Sequence, residues 1–177
     1  YLAILTALAS NKSTQKILIA ANKQETAKEF LKKIRDFTVQ LPSWMDVYRP
    51  PGSESWFDPE KNSSSHYKLW NGSEVKAVAS SKDALRGYTP SCIVVDEAAF
   101  IEGNKGEEFY TAAQPSLSTG GRSILISTPN GHDPLYHKAY INAERGFNNF
   151  NIVSMKWYED PRYNGRNKND QFPHGMT

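Results

Sequence analysis

Three short apolar runs constrain the fold of this 177-residue chain more than any other feature. They occupy residues 16–21, 91–95 and 123–127, and each is rich in β-branched residues, which is typical of strands buried on both faces. Segments with helical spacing lie between them. Buried strands that alternate with helices predict a mostly parallel sheet covered by helices on both faces, so we expect a three-layer α/β domain.

The remaining segments fill in this pattern. A helix is predicted to be capped by Asn22, to carry an apolar stripe from Ala27 through Phe37 to Leu41, and to end at Pro42. Residues 66–80 alternate around Asn71-Gly72 and predict a hairpin. Further predictions are helices over residues 1–10, 109–117 and 135–143, a fourth strand over 151–155, and a loop-rich stretch over 43–65.

Composition narrows the class of protein without identifying it. The apolar runs are only a few residues long, which predicts no membrane span and no membrane partner. A lone cysteine, Cys92, predicts no internal disulfide and fits a reducing compartment. The net charge of +2 is too small to indicate a nucleic-acid binder by itself.

Two adjacent carboxylates, Asp96 and Glu97, follow the second apolar run. Ligands of open α/β sheets bind outside the carboxyl ends of the strands, where these residues are expected. In a phosphate-hydrolysing site one carboxylate can hold Mg²⁺ and the other can orient and deprotonate water. The competing interpretation is that one of them only caps the segment that follows.

Two hydroxyls, Ser127 and Thr128, end the third apolar run in the same way. On a neighbouring strand they could sense a γ-phosphate or its attacking water. Alone, the segment 127–131 would be interpreted as a plain turn, because Ser, Thr, Pro, Asn and Gly are all turn residues. Its position about thirty residues after an Asp-Glu strand favours the functional interpretation.

Taken together, these segments resemble a known family. The pairing of VVDEAAF at 94–100 with ISTPNG at 126–131 is similar to the ATPase domain of the large terminase subunit. That subunit is the DNA-packaging motor of tailed bacteriophages, and T-even-type members look most alike. The segments KDALRG at 82–87 and AQP at 113–115 are also similar to the family's segments at these places. Four short motifs in the right order carry the resemblance.

The resemblance implies a P-loop NTPase-like fold of the RecA/ASCE type and the roles of individual residues. Asp96 matches the Walker B aspartate that serves Mg²⁺, and Glu97 matches the catalytic glutamate that activates water for ATP hydrolysis. Ser127, Thr128 and Asn130 lie in the coupling motif, which links the γ-phosphate state to subdomain movement. Arg86 lies in an Arg-Gly element, where a phosphate contact and a structural salt bridge are both open.

The chain also departs from the family. No Gly-x-x-x-x-Gly-Lys-Ser/Thr phosphate loop occurs in it. We expect residues 1–157 to be a partial ATPase domain that lacks the phosphate loop and the first strand leading into it, and 158–177 to be a linker or lid segment toward an absent nuclease domain. The missing strand would leave an uncovered apolar edge beside 123–127. The fragment alone is expected to hydrolyse ATP negligibly.

The resemblance further implies partners and a location. It implies double-stranded DNA, a portal protein and a small terminase subunit as partners, a homo-oligomeric ring during packaging, and action in the host bacterial cytoplasm at the prohead. Two other functions stay open at this stage. A helicase-type ATPase also carries Asp-Glu and Ser-Thr strand ends, and a catalytically silent module could bind only DNA or the portal.

Overall fold

One mostly parallel sheet organises the chain. The computed structural model describes residues 14–40, 52, 62–118 and 120–159. In these residues the strands are β1 Lys16–Ala21, β2 His66–Lys68, β3 Glu74–Ala79, β4 Cys92–Val95 and β5 Arg122–Leu125. Their spatial order is β2-β3-β1-β4-β5, and every neighbouring pair is parallel except the antiparallel pair β2 and β3. The strands predicted over 16–21 and 91–95 are therefore confirmed, and the strand predicted over 123–127 is present but covers 122–125.

Helices and short 3₁₀ turns connect the strands. The helices are α1 Gln24–Val39, α2 Lys105–Ser118 and α3 Tyr136–Glu144, and the 3₁₀ turns are Lys82–Leu85, Ala98–Phe100 and Trp157–Glu159. Helix α2 begins four residues before the predicted start, and α3 ends just before Gly146, whose φ of 71° suits the end of a helix. In the described part of the chain no helix is long and apolar enough to cross a membrane.

Strand β1 is the centre of the domain because both of its faces are covered. Ile17 and Ile19 pack into one apolar cluster with residues of α1, and Leu18 and Ala20 pack into a second cluster with Phe109 of α2. All of these strand residues are fully buried. Helices on both faces of one sheet confirm the predicted three-layer α/β architecture.

Helix α1 differs from its prediction at its N-cap and in its last described turn. Its N-cap is Lys23 without a capping side-chain hydrogen bond, so the predicted cap at Asn22 is wrong. The buried face of α1 continues from Ile34 to Thr38, one turn further along the helix. The Thr38 hydroxyl donates a hydrogen bond to the Ile34 carbonyl oxygen at 2.8 Å. Phe37 is consequently 45% exposed and not part of the stripe. The predicted stop at Leu41 and Pro42 lies outside the described residues.

The hairpin prediction is confirmed. Strands β2 and β3 pair in antiparallel register from His66 opposite Lys76 to Lys68 opposite Glu74. Gly72 adopts a φ of 85° in the turn between them, a conformation that glycine reaches without steric cost. The hairpin adds a strand beyond β3 and so covers one side of the parallel strands.

Strand β5 lies at the other edge of the described sheet. The prediction that it is buried on both faces is wrong, because Ser123, Ile124 and Leu125 are only half-buried and Ile126 is exposed. Within the described residues only β4 pairs with it, which leaves its outer side without a ladder partner. The gap expected beside this strand stays a prediction.

The chain divides into two compact units, Tyr1–Ala139 and Tyr140–Thr177. In the second unit the predicted strand over 151–155 is wrong: the segment has no regular secondary structure, and Val153 and Met155 are 85% exposed. A strand needs a ladder partner, which its own composition does not supply. The predicted helix over 1–10, most of the 43–65 loop and the tail from 160 lie outside the described residues, and the predicted domain boundary at 157 stays a prediction.

Candidate active site

The carboxyl ends of β1, β4 and β5 meet at one edge of the sheet and form an open cavity. Its volume is about 610 Å³, and we call it the edge cavity. The residues that line it are Asn22, Lys23, Thr26, Asp96, Glu97, Phe100, Ile126, Ser127 and Thr128. The two predicted carboxylates and both predicted hydroxyl residues are thus brought together, as the parallel strand order requires.

Asp96 continues the β4 ladder by one residue. Its amide donates to the Ala20 carbonyl oxygen at 2.8 Å, which ties it to the end of the central strand. Its Oδ1 accepts a hydrogen bond from the Glu97 amide at 3.1 Å. The side chain is half-buried, so Asp96 is held at the edge cavity by one bond of its backbone to Ala20 and one bond of its carboxylate to the Glu97 amide.

Glu97 has a strained backbone and an open carboxylate. Its φ of 52° and ψ of 39° are left-handed, and it is the one non-glycine residue with positive φ in the described part of the chain. A side chain in this conformation costs energy that the surrounding structure must supply, which is common at functional sites. Its side chain is exposed at the edge cavity and has no hydrogen-bond or ion-pair partner among the described residues.

The turn Ala98–Phe100 after Glu97 is bonded to the segment that follows β5. The Ala98 amide donates to the Ile126 carbonyl oxygen at 3.1 Å, and the Ala99 amide donates to Ser127 Oγ at 3.1 Å. The Asn130 side-chain amide donates to the Ala99 carbonyl oxygen, also at 3.1 Å. We call these three bonds the backbone clamp. The acidic strand end and the predicted coupling segment therefore form one bonded unit.

The two predicted hydroxyl residues have different surroundings. Ser127 Oγ accepts from Ala99 and donates to the Thr128 carbonyl oxygen at 2.8 Å, so its hydroxyl is occupied within the protein. Thr128 is exposed at the edge cavity. Asn130 does not line that cavity and lies with Ala99 and His132 in a smaller hollow of about 300 Å³. Their γ-phosphate-sensing roles stay a prediction.

Arg86 stands apart from the edge cavity. It follows the 3₁₀ turn Lys82–Leu85, is 81% exposed, and its Nε lies 3.0 Å from Asp83 Oδ1. It is not among the residues that line the cavity. The salt bridge is thus formed in this structure, and the phosphate contact stays a prediction.

Several lining residues were not predicted as part of the site. Asn22, Lys23 and Thr26 follow β1, and Phe100 and Ile126 flank the acidic and hydroxyl residues. The signal was present for the first group, because β1 was itself predicted as a parallel strand whose carboxyl end must reach the same edge. Phe100 ends the motif at 94–100 and Ile126 begins the motif at 126–131, but neither residue was predicted to have a role in the site.

The donor set of the edge cavity fits a magnesium ion bound through few protein ligands. Asp96, Glu97 and Thr128 offer oxygen atoms, the ligands that Mg²⁺ prefers. Across the described residues no group of three His, Cys, Asp or Glu side chains is placed to hold a metal ion. An ion here would be held by one or two carboxylates, with water and phosphate oxygens completing its coordination, which is usual for Mg²⁺ at nucleotide sites.

Cys92 on β4 contributes no second chemistry. Burial raises the pKa of its thiol, while the Arg122 charge opposes this shift. A thiol with a raised pKa stays protonated at neutral pH and reacts slowly. Cys92 therefore acts as a small apolar residue of the strand.

Comparison with known proteins places the fold in a family. Residues 5–174 match the family described as "Uncharacterized protein MJ0330, N-terminal P-loop domain". The Mu-like prophage FluMu protein gp28 of Haemophilus influenzae is 26% identical over 156 residues, which are 86% of this chain and 29% of that protein. The chain thus spans under a third of the length of this curated relative.

Two solved structures of the Thermus phage P74-26 large terminase ATPase domain are also similar. A variant of that domain gives a TM-score of 0.48 at 18% identity and covers 73% of this chain and 54% of that one. Another structure of the domain gives 0.42 at 18% identity, with coverages of 72% and 53%. The family match spans nearly the whole sequence, so the chain belongs to the family of the MJ0330 N-terminal P-loop domain, and the predicted P-loop NTPase-like fold is confirmed.

Proposed function

We propose that this chain carries the water-activating and metal-binding half of an ATP-hydrolysing site. The observation that carries the proposal is the meeting of Asp96, Glu97 and Thr128 at the carboxyl edge of the sheet of a P-loop domain. Carboxylates at this edge are suited to phosphate chemistry because phosphates and their metal ions bind outside the strand ends.

Each residue has a distinct role in the proposed site. Asp96 is fixed by its bond to the β1 backbone and by the Glu97 amide, and would hold Mg²⁺, which neutralises phosphate charge when it is bound. Glu97 has an open carboxylate and would accept a proton from the attacking water. Thr128 is exposed at the same cavity and would contact the terminal phosphate or this water.

The phosphate-binding half of the site is proposed to come from another segment. The 177 residues contain no Gly-x-x-x-x-Gly-Lys-Ser/Thr motif, so the present residues offer no phosphate loop. Among the described residues no strand pairs with the outer side of β5, and Ile126, which follows β5, lines the edge cavity. A strand pairing there would deliver its loop directly to that cavity. By itself the chain would then hydrolyse ATP negligibly.

At the level of the whole protein, we propose a terminase large subunit that drives double-stranded DNA into the prohead. The support is the set of four motifs in order and the phage origin of the Mu-like prophage relative. The proposal includes a portal protein and a small terminase subunit as partners, a ring of identical subunits, and action in the host cytoplasm at the portal.

The central experiment substitutes Glu97→Gln in the protein with its phosphate loop present. We expect DNA-stimulated phosphate release to fall by about 10²- to 10⁴-fold, because a glutamine cannot accept the proton. ATP affinity should change little. Glu102→Gln is the matched control, because Glu102 is an exposed glutamate paired with Lys105 near the same turn and is not expected to affect the rate. A Glu97→Gln variant with the parental rate would refute the catalytic assignment.

A second measurement separates the motor from other functions. Phosphate release stimulated more strongly by double-stranded than by single-stranded DNA supports a packaging motor. The opposite preference would favour a helicase-type ATPase. A protein that binds DNA or the portal but releases no phosphate would be a catalytically silent module and would contradict the proposed enzyme.

A further inference from the structure

We infer that Ser127 and Asn130 are positioning residues that hold Glu97 in its left-handed conformation through the backbone clamp. The inference rests on the proposed function, because it concerns the orientation of the proposed base. It assigns the coupling segment a task before any phosphate is sensed.

The first step is that Glu97 is fixed from both sides. On its amino side, the Asp96 amide is bonded to Ala20 of the central strand. On its carboxyl side, the Ala98 amide is bonded to Ile126, the residue that continues β5. A residue between two anchored neighbours has little freedom in φ and ψ, so the anchors decide where its side chain points.

The second step is that the Ala99 peptide group is held at both of its polar atoms. Its amide donates to Ser127 Oγ and its carbonyl oxygen accepts from the Asn130 side-chain amide, each at 3.1 Å. Both contacts come from side chains about thirty residues away in the sequence. They therefore stabilise the turn after Glu97 from outside the segment itself.

The third step is that the strain is local to Glu97. A left-handed non-glycine residue persists only when its surroundings over-determine it. Without the clamp, the turn Ala98–Phe100 could relax toward the common right-handed region and carry the Glu97 carboxylate away from its present position. On the carboxyl side the clamp opposes such relaxation together with the Phe100 amide, which donates to the Glu97 carbonyl oxygen at 2.9 Å.

The fourth step separates the two hydroxyl residues. Ser127 uses its oxygen as acceptor for Ala99 and its proton for the Thr128 carbonyl, so it is engaged in positioning. Thr128 is exposed at the edge cavity and keeps the ligand-facing role. A movement of the β5 end would shift Ser127 and the turn together, which gives the coupling segment a direct mechanical connection to Glu97.

The first test needs no nucleotide and measures amide hydrogen exchange at Ala99. In Ser127→Ala the Ala99 amide loses its acceptor, and its exchange should be about 5- to 10-fold faster. Ser123→Ala is the matched control, because Ser123 lies on β5, four residues before Ser127, and contacts Tyr110 instead. Unchanged Ala99 exchange in Ser127→Ala would overturn the inference.

The second test measures steady-state phosphate release in the protein with its phosphate loop present. Ser127→Ala and Asn130→Ala should each lower kcat by roughly 10- to 100-fold with KM nearly unchanged, because a misplaced base slows chemistry more than binding. Ser127→Thr keeps the hydroxyl and should restore most of the rate. A rise in KM at constant kcat would instead assign these side chains to substrate binding and overturn the positioning role.

The two proposals fail in different ways. If the parental protein releases no phosphate, the proposed function fails while the exchange experiment still tests the clamp. If the parental protein is active, Ala99 exchange is accelerated and kcat does not change, the clamp exists but does not position Glu97. That result would contradict the inference alone.

Discussion

The middle of the sheet and its carboxyl edge are built from the same strands but follow opposite rules. In the middle, β1 and its neighbours pack against α1 with fully buried side chains such as Ile19, Ile34 and Tyr67. At the edge, one or two residues further along β4, Asp96 is half-buried and Glu97 is exposed and strained. Close packing in the middle supplies the stability that lets the edge hold charged, strained and unpartnered groups.

The packed middle and the carboxyl edge are separated by a single residue step along the chain. Val95 is fully buried, and the next residue along the chain already lines the edge cavity. This change from buried to open side chains occurs where β4 ends. Beyond that point, the backbone clamp between Ala98–Phe100 and the segment after β5 replaces the ladder hydrogen bonds of the sheet. The rigid strand β4 holds the carboxylates that follow it in a defined position, which a reactive site requires.

The largest expected effect tests the packed middle. Ile34→Ala should lower the free energy of unfolding by about 2–5 kcal/mol, because it opens a cavity in a fully buried cluster. Phe37→Ala, one turn later on the exposed side of α1, should cost less than about 1 kcal/mol. Denaturant unfolding of both variants gives the difference. Equal losses of stability in the two variants would contradict the structure, in which Ile34 is buried and Phe37 is exposed.

An intermediate effect tests the strained edge. Glu97→Gly should be more stable than Glu97→Ala by about 1 kcal/mol, because glycine adopts positive φ without steric cost and alanine does not. Both variants remove the carboxylate, so their comparison isolates the backbone. Thermal or urea unfolding measures it. A glycine variant less stable than the alanine variant would show that Glu97 is not held in a left-handed conformation.

The smallest effect tests burial in the middle by pH. Burial raises the pKa of Tyr67 well above its ordinary value of 10.0, and the Thr38 hydrogen bond and Arg35 charge only partly oppose this. Because the pKa of Tyr67 is raised in the folded state, this tyrosine ionises first in the unfolded chain as the pH rises. The contribution of the buried neutral tyrosine to the free energy of unfolding is therefore fully present below pH 10 and is lost as the pH rises above 10. At pH 10.5 the loss attributable to Tyr67 should stay below about 1 kcal/mol.

The measurement is urea unfolding between pH 8 and 10.5, roughly the interval over which a tyrosine of ordinary pKa begins to ionise in the unfolded chain. Tyr67→Phe removes the titrating group and should lessen the alkaline loss. Some loss should remain, because burial and then the Glu74 carboxylate also raise the pKa of Tyr88. An identical pH dependence in Tyr67→Phe and the parental protein would contradict the burial of this side chain.

The elements predicted correctly are those whose signal is local. The β-branched run of β1, the Asn-Gly turn of the hairpin and the apolar spacing of α3 each contain their own evidence. The strand predicted over 151–155 failed for the opposite reason. Its residues have strand propensity, but a strand exists only when another backbone pairs with it, and propensity cannot supply the partner.

The site divides along the same line. Parallel strand order is enough to bring Asp96, Glu97 and Thr128 to one edge, and the motif spacing predicts it. The N-cap was predicted at Asn22 but lies one residue later, at Lys23. The position of a cap depends on the backbone conformation where the helix begins, which the sequence pattern does not specify to one residue. The left-handed Glu97 could not be predicted, since nothing about a glutamate favours positive φ.

The sequence by itself determined the buried strands β1 and β4, the residues that follow the strands of the parallel sheet, and the chemical class of the groups at those strand ends. The tertiary structure decided how those groups are used. It placed Asn130 and Ser127 on the Ala99 peptide, left Arg86 on Asp83, and put β5 at the edge of the described sheet. Periodicity is a property of neighbours along the chain, whereas these contacts join segments that only the folded sheet brings within hydrogen-bond distance.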